Sequence, residues 1–140
     1  MGTQRHAGLD PPAGNPGAAV VAVIEDDPSF RRALRRLLAL RGFRTEGFAS
    51  AEEFLQSPET SAECLVLDIH LGGMSGLELQ AALAANSVPL PIIFITAFDN
   101  PTTQERARKA GAAAYLQKPF DDQSLIDAIQ LAIGRQADPN

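Results

Sequence analysis

The sequence predicts an α/β fold: a doubly wound sheet of five parallel strands, with five helices covering its two faces. Three observations predict it. Short apolar runs alternate strictly with amphipathic stretches, the pattern of strand–helix–strand units closed by right-handed crossovers. The runs Ala19-Val20-Val21-Ala22-Val23-Ile24 and Cys64-Leu65-Val66-Leu67 are apolar throughout, as strands buried on both faces must be. Both runs stop abruptly in carboxylates, the first at Glu25-Asp26-Asp27 and the second at Asp68.

The first strand is expected over about 19–24. A helix follows from Pro28, because Asp27 is suited to cap it and proline is tolerated at the first helical position. Phe30, Ala33, Leu34, Leu37 and Leu38 recur at spacings of three and four, which makes one buried face, and Gly42 ends the helix. Residues 43–48 read as a second strand. Ser50 with Glu53 three residues on is a capping box that opens a short helix to about Ser57, and Pro58 prevents its continuation. A third strand covers about 63–68. Gly72-Gly73 marks a loop, and Ser75 is placed to cap a helix over 76–85. A fourth strand covers about 91–95. After Thr96, Asp99-Asn100-Pro101 starts another helix, which Gly111 ends. A fifth strand, 113–117, leads into Lys118-Pro119-Phe120. Asp121 or Asp122 opens the last helix, whose stripe is Leu125, Ile126, Ile129, Ala132 and Ile133. Residues 1–18, rich in Gly, Pro and Ala, are expected to form a flexible tail, and 136–140 a second frayed end.

Length and composition bound the function. A chain of 140 residues with 45% apolar content suits one soluble globular domain with a real core. A net charge of −5 argues against direct nucleic-acid binding, which needs a basic stripe. No apolar run approaches the roughly 20 residues of a membrane helix. The N-terminus shows no secretory pattern, so the expected location is the cytoplasm. Cys64 is the lone cysteine and opens an apolar run, which reads as a buried free thiol.

The polar residues that carry chemistry fall at the ends of different strands: Glu25 and Asp26, Asp68, Thr96 and Lys118. In a parallel sheet these ends share one edge, where open α/β sheets place their ligands. Carboxylates crowded there repel and raise one another's pKa. A hard cation such as Mg²⁺ removes that conflict. An acid pair, a central Asp, a hydroxyl and an ammonium together describe phosphoryl transfer onto a carboxylate, with Asp68 as nucleophile. Such chemistry is mostly positioning and electrostatics and needs no general-base histidine.

Five pieces in order carry a resemblance: Val-Ile-Glu-Asp-Asp at 23–27, Leu-Asp-Ile-His-Leu at 67–71, Met-Ser-Gly-Leu-Glu-Leu at 74–79, Ile-Thr-Ala at 95–97 and Ala-Tyr-Leu-Gln-Lys-Pro-Phe at 114–120. Together they resemble the receiver domain of two-component response regulators over about 19–135. The wording is most similar to the nitrogen-fixation and related LuxR-type subgroup. The resemblance implies a flavodoxin-like strand order of 2-1-3-4-5. It implies that Asp68 accepts phosphate from a sensor histidine kinase or histidine phosphotransfer protein, so the chain is a signalling phosphoacceptor and not an enzyme beyond self-phosphorylation and self-dephosphorylation. It implies Mg²⁺ held directly by Asp26 and Asp68, through water by Glu25, and by the backbone carbonyl of His70. Thr96 and Lys118 then hold the phosphoryl group, Tyr115 is the aromatic switch, and the Lys118–Pro119 bond is cis. A homodimer through the face from the fourth to the fifth helix is the assembly that such domains suggest.

Two positions depart from the pattern or tune it. Gly72 stands where proline is common in the family, which predicts a more mobile loop. His70 and Phe98, each two residues past Asp68 and Thr96, sit where such domains tune dephosphorylation, and the bulk of Phe98 predicts slow phosphate loss. Arg31, Arg32, Arg35 and Arg36 form two rows on the first helix, read either as a solvated face or as a docking surface for the kinase. Arg106, Arg108 and Lys109 raise the same question on the fourth helix.

Bland readings compete at several positions. A strand-end carboxylate is often only a helix cap, and Asp27 is read that way. The side chain of His70 lacks a second His or Cys at ligand spacing and reads as surface. A phosphatase of the haloacid-dehalogenase type needs a second Asp two residues after the nucleophile, where this chain has His70. A flavodoxin needs a hydroxyl-rich phosphate loop where Glu25-Asp26-Asp27 stands. The remaining alternatives are a receiver half of a two-domain transcription regulator and a receiver-like scaffold that is not phosphorylated.

Overall fold

Strands and helices alternate along the chain in the computed structural model, which describes residues 18–57, 60–98 and 100–137. They run β1 (Val20–Ile24), α1 (Pro28–Leu40), β2 (Arg44–Phe48), α2 (Ala51–Leu55), β3 (Cys64–Asp68), α3 (Gly76–Ala85), β4 (Ile92–Thr96), α4 (Pro101–Lys109), β5 (Ala114–Gln117) and α5 (Asp122–Ala137). All strand pairs are parallel, in the order β2-β1-β3-β4-β5. The expected fold class and strand order are both present.

Side chains alternate across each strand, so one sheet carries two cores. Ala22, Ile24, Leu65, Leu67 and Phe94 pack with Ala51, Phe54, Leu79, Leu83 and Ala107, which places α2, α3 and α4 on one face. Val21, Val23, Cys64, Val66, Ile93 and Ile95 pack with Leu34, Leu38, Leu125, Ile126 and Ile129 of α1 and α5 on the other. The three central strands are buried at every residue, whereas the edge strands β2 and β5 are partly exposed. Cys64 lies in the second core as a free thiol, and burial pushes its pKa up to about 12.

The helix caps follow the local sequence. Asp27 accepts the N–H groups of Ser29 and Phe30, with Pro28 at the first helical position. Ser75 and Glu78 form a reciprocal capping box on α3. At α2, Ser50 accepts the Glu53 N–H as expected, but the Glu53 carboxylate takes the N–H of Ala49, one residue before the cap. Asn100 caps α4. Asp121 caps α5, accepting the Gln123 N–H and the Ser124 hydroxyl. That helix runs to Ala137, into the stretch 136–140 expected as a second tail. The tail expected over 1–18 lies, apart from Ala18, outside the described residues.

Helix α4 is the most polar. Ala107 is its one buried residue, and the buried Gln80 of α3 donates to the Ala107 carbonyl at 3.2 Å. At the other end of α3, Gly76 lies against the strand that carries Asp68. A Cβ there would sit 2.6 Å from the Asp68 carbonyl oxygen and 2.9 Å from the Ile69 Cα, so helix and strand touch backbone to backbone. The Gly76 N–H also donates to the Ile69 carbonyl at 3.0 Å. Replacing Gly76 with Ala is therefore expected to destabilise the fold by about 1–3 kcal/mol through overpacking. Urea unfolding of the variant against wild type measures this.

Candidate functional site

The strand register brings the polar strand ends level. Ile24 pairs with Leu67, Asp68 with Ile95, and Thr96 with Gln117. Glu25 and Asp68 therefore emerge level, Thr96 one residue further and Lys118 two residues further along the carboxyl edge, where the strand order reverses between β1 and β3. Hydrogen bonds extend this alignment beyond the strands: Ile69 N–H to the Ile95 carbonyl at 3.1 Å and Lys118 N–H to the Thr96 carbonyl at 2.7 Å.

Glu25, Asp26 and Asp68 offer carboxylate oxygens that all lie within 4.8 Å of one another. Glu25 and Asp68 are buried and Asp26 is exposed. Lys118 Nζ lies 3.0 Å from both Glu25 Oε1 and Asp68 Oδ2, and 4.4 Å from the centre of the Phe30 ring. The second oxygen of Asp68 accepts the His70 N–H at 2.8 Å. The Lys118–Pro119 peptide is cis, as the resemblance implies.

The charges do not balance. Three carboxyl groups cluster where one ammonium bridges two of them, in a place from which water is partly excluded. Burial pushes Glu25 up to about 7, against the N–H of Asp27 and the ammonium of Lys118, and the charge of Asp68 adds to the rise. Lys118 is raised: burial opposes its charge, but hydrogen bonds to Asp68 and Glu25 and their charges outweigh that. An excess of hard oxygen donors around a surplus of negative charge is the donor set that suits a Mg²⁺-sized cation. The residues present therefore fit the metal expected from the sequence.

Thr96 is buried at the end of β4. Its hydroxyl accepts the Phe98 N–H and donates to the Phe98 carbonyl, both at 3.1 Å, so it is engaged within its own loop. Tyr115 pairs with Phe94 across β4 and β5 and packs on the core face shared with α3 and α4, its hydroxyl out of solvent. It also lines a cleft of about 210 Å³ with Gln104 and Arg108. The His70 ring is at the surface, edge-on to the exposed Phe98 with centroids 5.1 Å apart.

The four arginines of α1 divide. Arg31 donates to the Glu25 carbonyl at 2.6 Å, and Arg35 lies across Gly47 to reach Thr45, whereas Arg32 and Arg36 are exposed. The bond from Arg31 braces the turn that carries the acid pair. Its six-residue separation from Glu25 gave it no signal beyond the charge pattern of its helix. Beside Lys118, a cleft of about 580 Å³ opens between α1 and the β5–α5 loop, lined by Phe30, Leu34, Leu37, Pro119 and Phe120.

A carboxylic acid whose folded pKa is raised stabilises the fold below its unfolded value and loses that contribution as pH rises through the folded value. Without divalent cation, Glu25 should therefore cost the protein about 3 kcal/mol of stability between pH 4.5 and pH 8. Glu25→Gln should flatten that part of the profile, and millimolar Mg²⁺ should restore wild-type stability at pH 8. Urea unfolding across this pH range with and without Mg²⁺ is the measurement.

Comparisons with known proteins agree with this geometry. The family described as response regulator receiver domain matches residues 21–130. Nodulation protein W of Bradyrhizobium diazoefficiens is 46% identical over 119 residues, which cover 84% of this chain and 52% of that protein. The transcriptional regulatory protein FixJ of the same organism is 38% identical over 120 residues, covering 85% and 58%. The chain thus spans about half the length of the curated relatives it matches. Among solved structures, the response regulator StyR aligns with a TM-score of 0.79 at 45% identity, covering 86% of this chain and 61% of that one. The structure titled FixJ-N aligns at 0.76 and 32%, covering 83% and 94%. These relatives bear out the resemblance to the nitrogen-fixation subgroup. Sheet order, acidic strand ends and sequence similarity converge, and the chain belongs to the response regulator receiver domain family.

Proposed function

We propose that this domain accepts a phosphoryl group on Asp68 from a phosphohistidine of a sensor histidine kinase or histidine phosphotransfer protein, and changes conformation to signal. The convergence of Asp68, the Glu25-Asp26 pair and Lys118 Nζ at 3.0 Å carries the reading. An oxygen of Asp68 forms the new P–O bond while the P–N bond of the donor breaks, its electron pair returning to the imidazole nitrogen. Lys118 shifts from pairing Asp68 to holding a phosphoryl oxygen, which leaves its charge in place as the transferred group arrives. Asp26 and Asp68 would hold Mg²⁺ directly, Glu25 would act through water, and the His70 carbonyl would complete the protein's donors. Bound there, the ion supplies charge neutralisation for the phosphoryl oxygens.

Thr96 is the second phosphoryl contact. To reach it the hydroxyl must leave Phe98, and Tyr115 on the neighbouring strand is the proposed aromatic switch that answers the move. The docking partner meets α1, which exposes Arg32 and Arg36, and the β5–α5 loop, with the apolar cleft beside Lys118 between them. The face from α4 to α5 is the proposed dimer surface. No helix among the described residues is long and apolar enough to cross a membrane, which is consistent with a cytoplasmic module.

A second reading has one specific observation behind it. The match spans 52–59% of relatives named as nodulation and transcriptional regulatory proteins, which fits a receiver half of a longer regulator. The two readings share the chemistry at Asp68.

Incubation with acetyl phosphate and Mg²⁺ should add one phosphoryl group to wild type by intact mass. Asp68→Asn and EDTA-treated protein should stay unmodified, and modified Asp68→Asn would overturn the assignment. Phe98 is 64% exposed and edge-on to His70, and in this reading its bulk hinders the water that attacks the phosphoryl group. Phe98→Ser should speed phosphate loss by up to about a hundredfold, the lower end of what a positioned proton-transfer group contributes. An unchanged decay of the phosphorylated mass would remove that role.

A further inference from the structure

We infer that Glu52 of α2 is a positioning residue for the acidic site, its carboxylate clasping the β3–α3 loop that carries the His70 carbonyl. The inference rests on the metal role proposed above for that carbonyl. The loop, 69–75, leaves β3 at Asp68 and must return to α3 at Gly76. Its ends are fixed by backbone contacts, with His70 N–H on Asp68 Oδ1 at 2.8 Å and Gly76 N–H on the Ile69 carbonyl at 3.0 Å. Between them lies Gly72-Gly73, exposed and without side chains to pack. A glycine pair is the most freely jointed link a chain can have.

Glu52 spans that gap from another element. Its Oε2 accepts the Met74 N–H at 2.8 Å, across 22 residues of sequence. The backbone is shaped to receive it. Gly73 adopts φ +73°, and a Cβ at that residue would lie 2.6 Å from Glu52 Oε2, so the carboxylate fills the place a side chain would take. The Met74 N–H holds the Glu52 carboxyl below the usual carboxylate range, and the Met74 side chain packs against the core. A charge-assisted bond to backbone on a freely jointed loop removes conformations that a donor to the metal cannot use.

The test uses Mg²⁺ itself as the probe on the full chain. Calorimetric titration of wild type, Glu52→Ala, Glu52→Gln and Asp26→Asn is paired with amide hydrogen exchange of the metal-free proteins. Glu52→Ala should weaken Mg²⁺ binding about tenfold, the lower end of what outer partners of metal ligands contribute, with Glu52→Gln between it and wild type. The Met74 amide should lose protection while amides in β3 keep theirs. Gly72 has open space around its Cβ position and no positive φ, so a side chain there meets no clash, and proline is the residue that fixes φ. Gly72→Pro added to Glu52→Ala should recover most of the affinity by stiffening the loop, without restoring the Met74 amide. A purely structural role for Glu52 predicts no such rescue.

An affinity in Glu52→Ala within about twofold of wild type, with binding lost in Asp26→Asn, would overturn the inference and leave the metal site standing. Absence of Mg²⁺ binding in wild type would overturn both. The Met74 exchange would then still report whether the clasp exists.

Discussion

Two buried carboxylates and one ammonium hold this domain's working edge together, and the rest of the fold is arranged so that they meet. Glu25 and Asp68 would repel one another if left alone at adjacent strand ends. Lys118 bridges them from the far side of the sheet, and the Phe30 ring closes over the ammonium. Four strands, β1, β3, β4 and β5, must be in register for that bridge to form, and the three central ones are buried on both faces, which leaves them little freedom to slip. One positive charge is set among three carboxyl groups. Burial raises Glu25, the charge of Asp68 adds to the rise, and a divalent cation at this edge would relieve both.

Much of this was legible in the sequence because strand ends and helix starts are local events. An apolar run that stops at a carboxylate marks both the end of a buried strand and the place of the site, so Glu25, Asp26 and Asp68 could be read directly. Caps at Asp27 and Ser75 followed from neighbouring residues. Strand edges moved by one residue, as at β4, which extends to Thr96 instead of ending at Ile95, because the last ladder bond depends on the partner strand.

What remained hidden depends on distance in space. Arg31 looked like one member of a basic face, yet it braces the Glu25 carbonyl. Arg35 looked equivalent and is spent across Gly47. Glu52 carried no signal at all, since it reads as an ordinary first-turn acid of α2. Thr96 was placed correctly at its strand end, but the partner of its hydroxyl is the loop beyond it. Each of these contacts is decided by how two loops approach after folding, and no periodicity encodes that.

The polarity of α4 has a consequence for how the domain can move. A helix anchored by the methyl group of Ala107 and the amide of Gln80 exposes little new apolar surface when it slides or tilts. Its displacement is governed by one directional bond, while α1 and α5 are held by area. The molecule therefore has mechanical anisotropy: stiff where chemistry requires fixed distances, compliant along the flank between Gln80 and Tyr115.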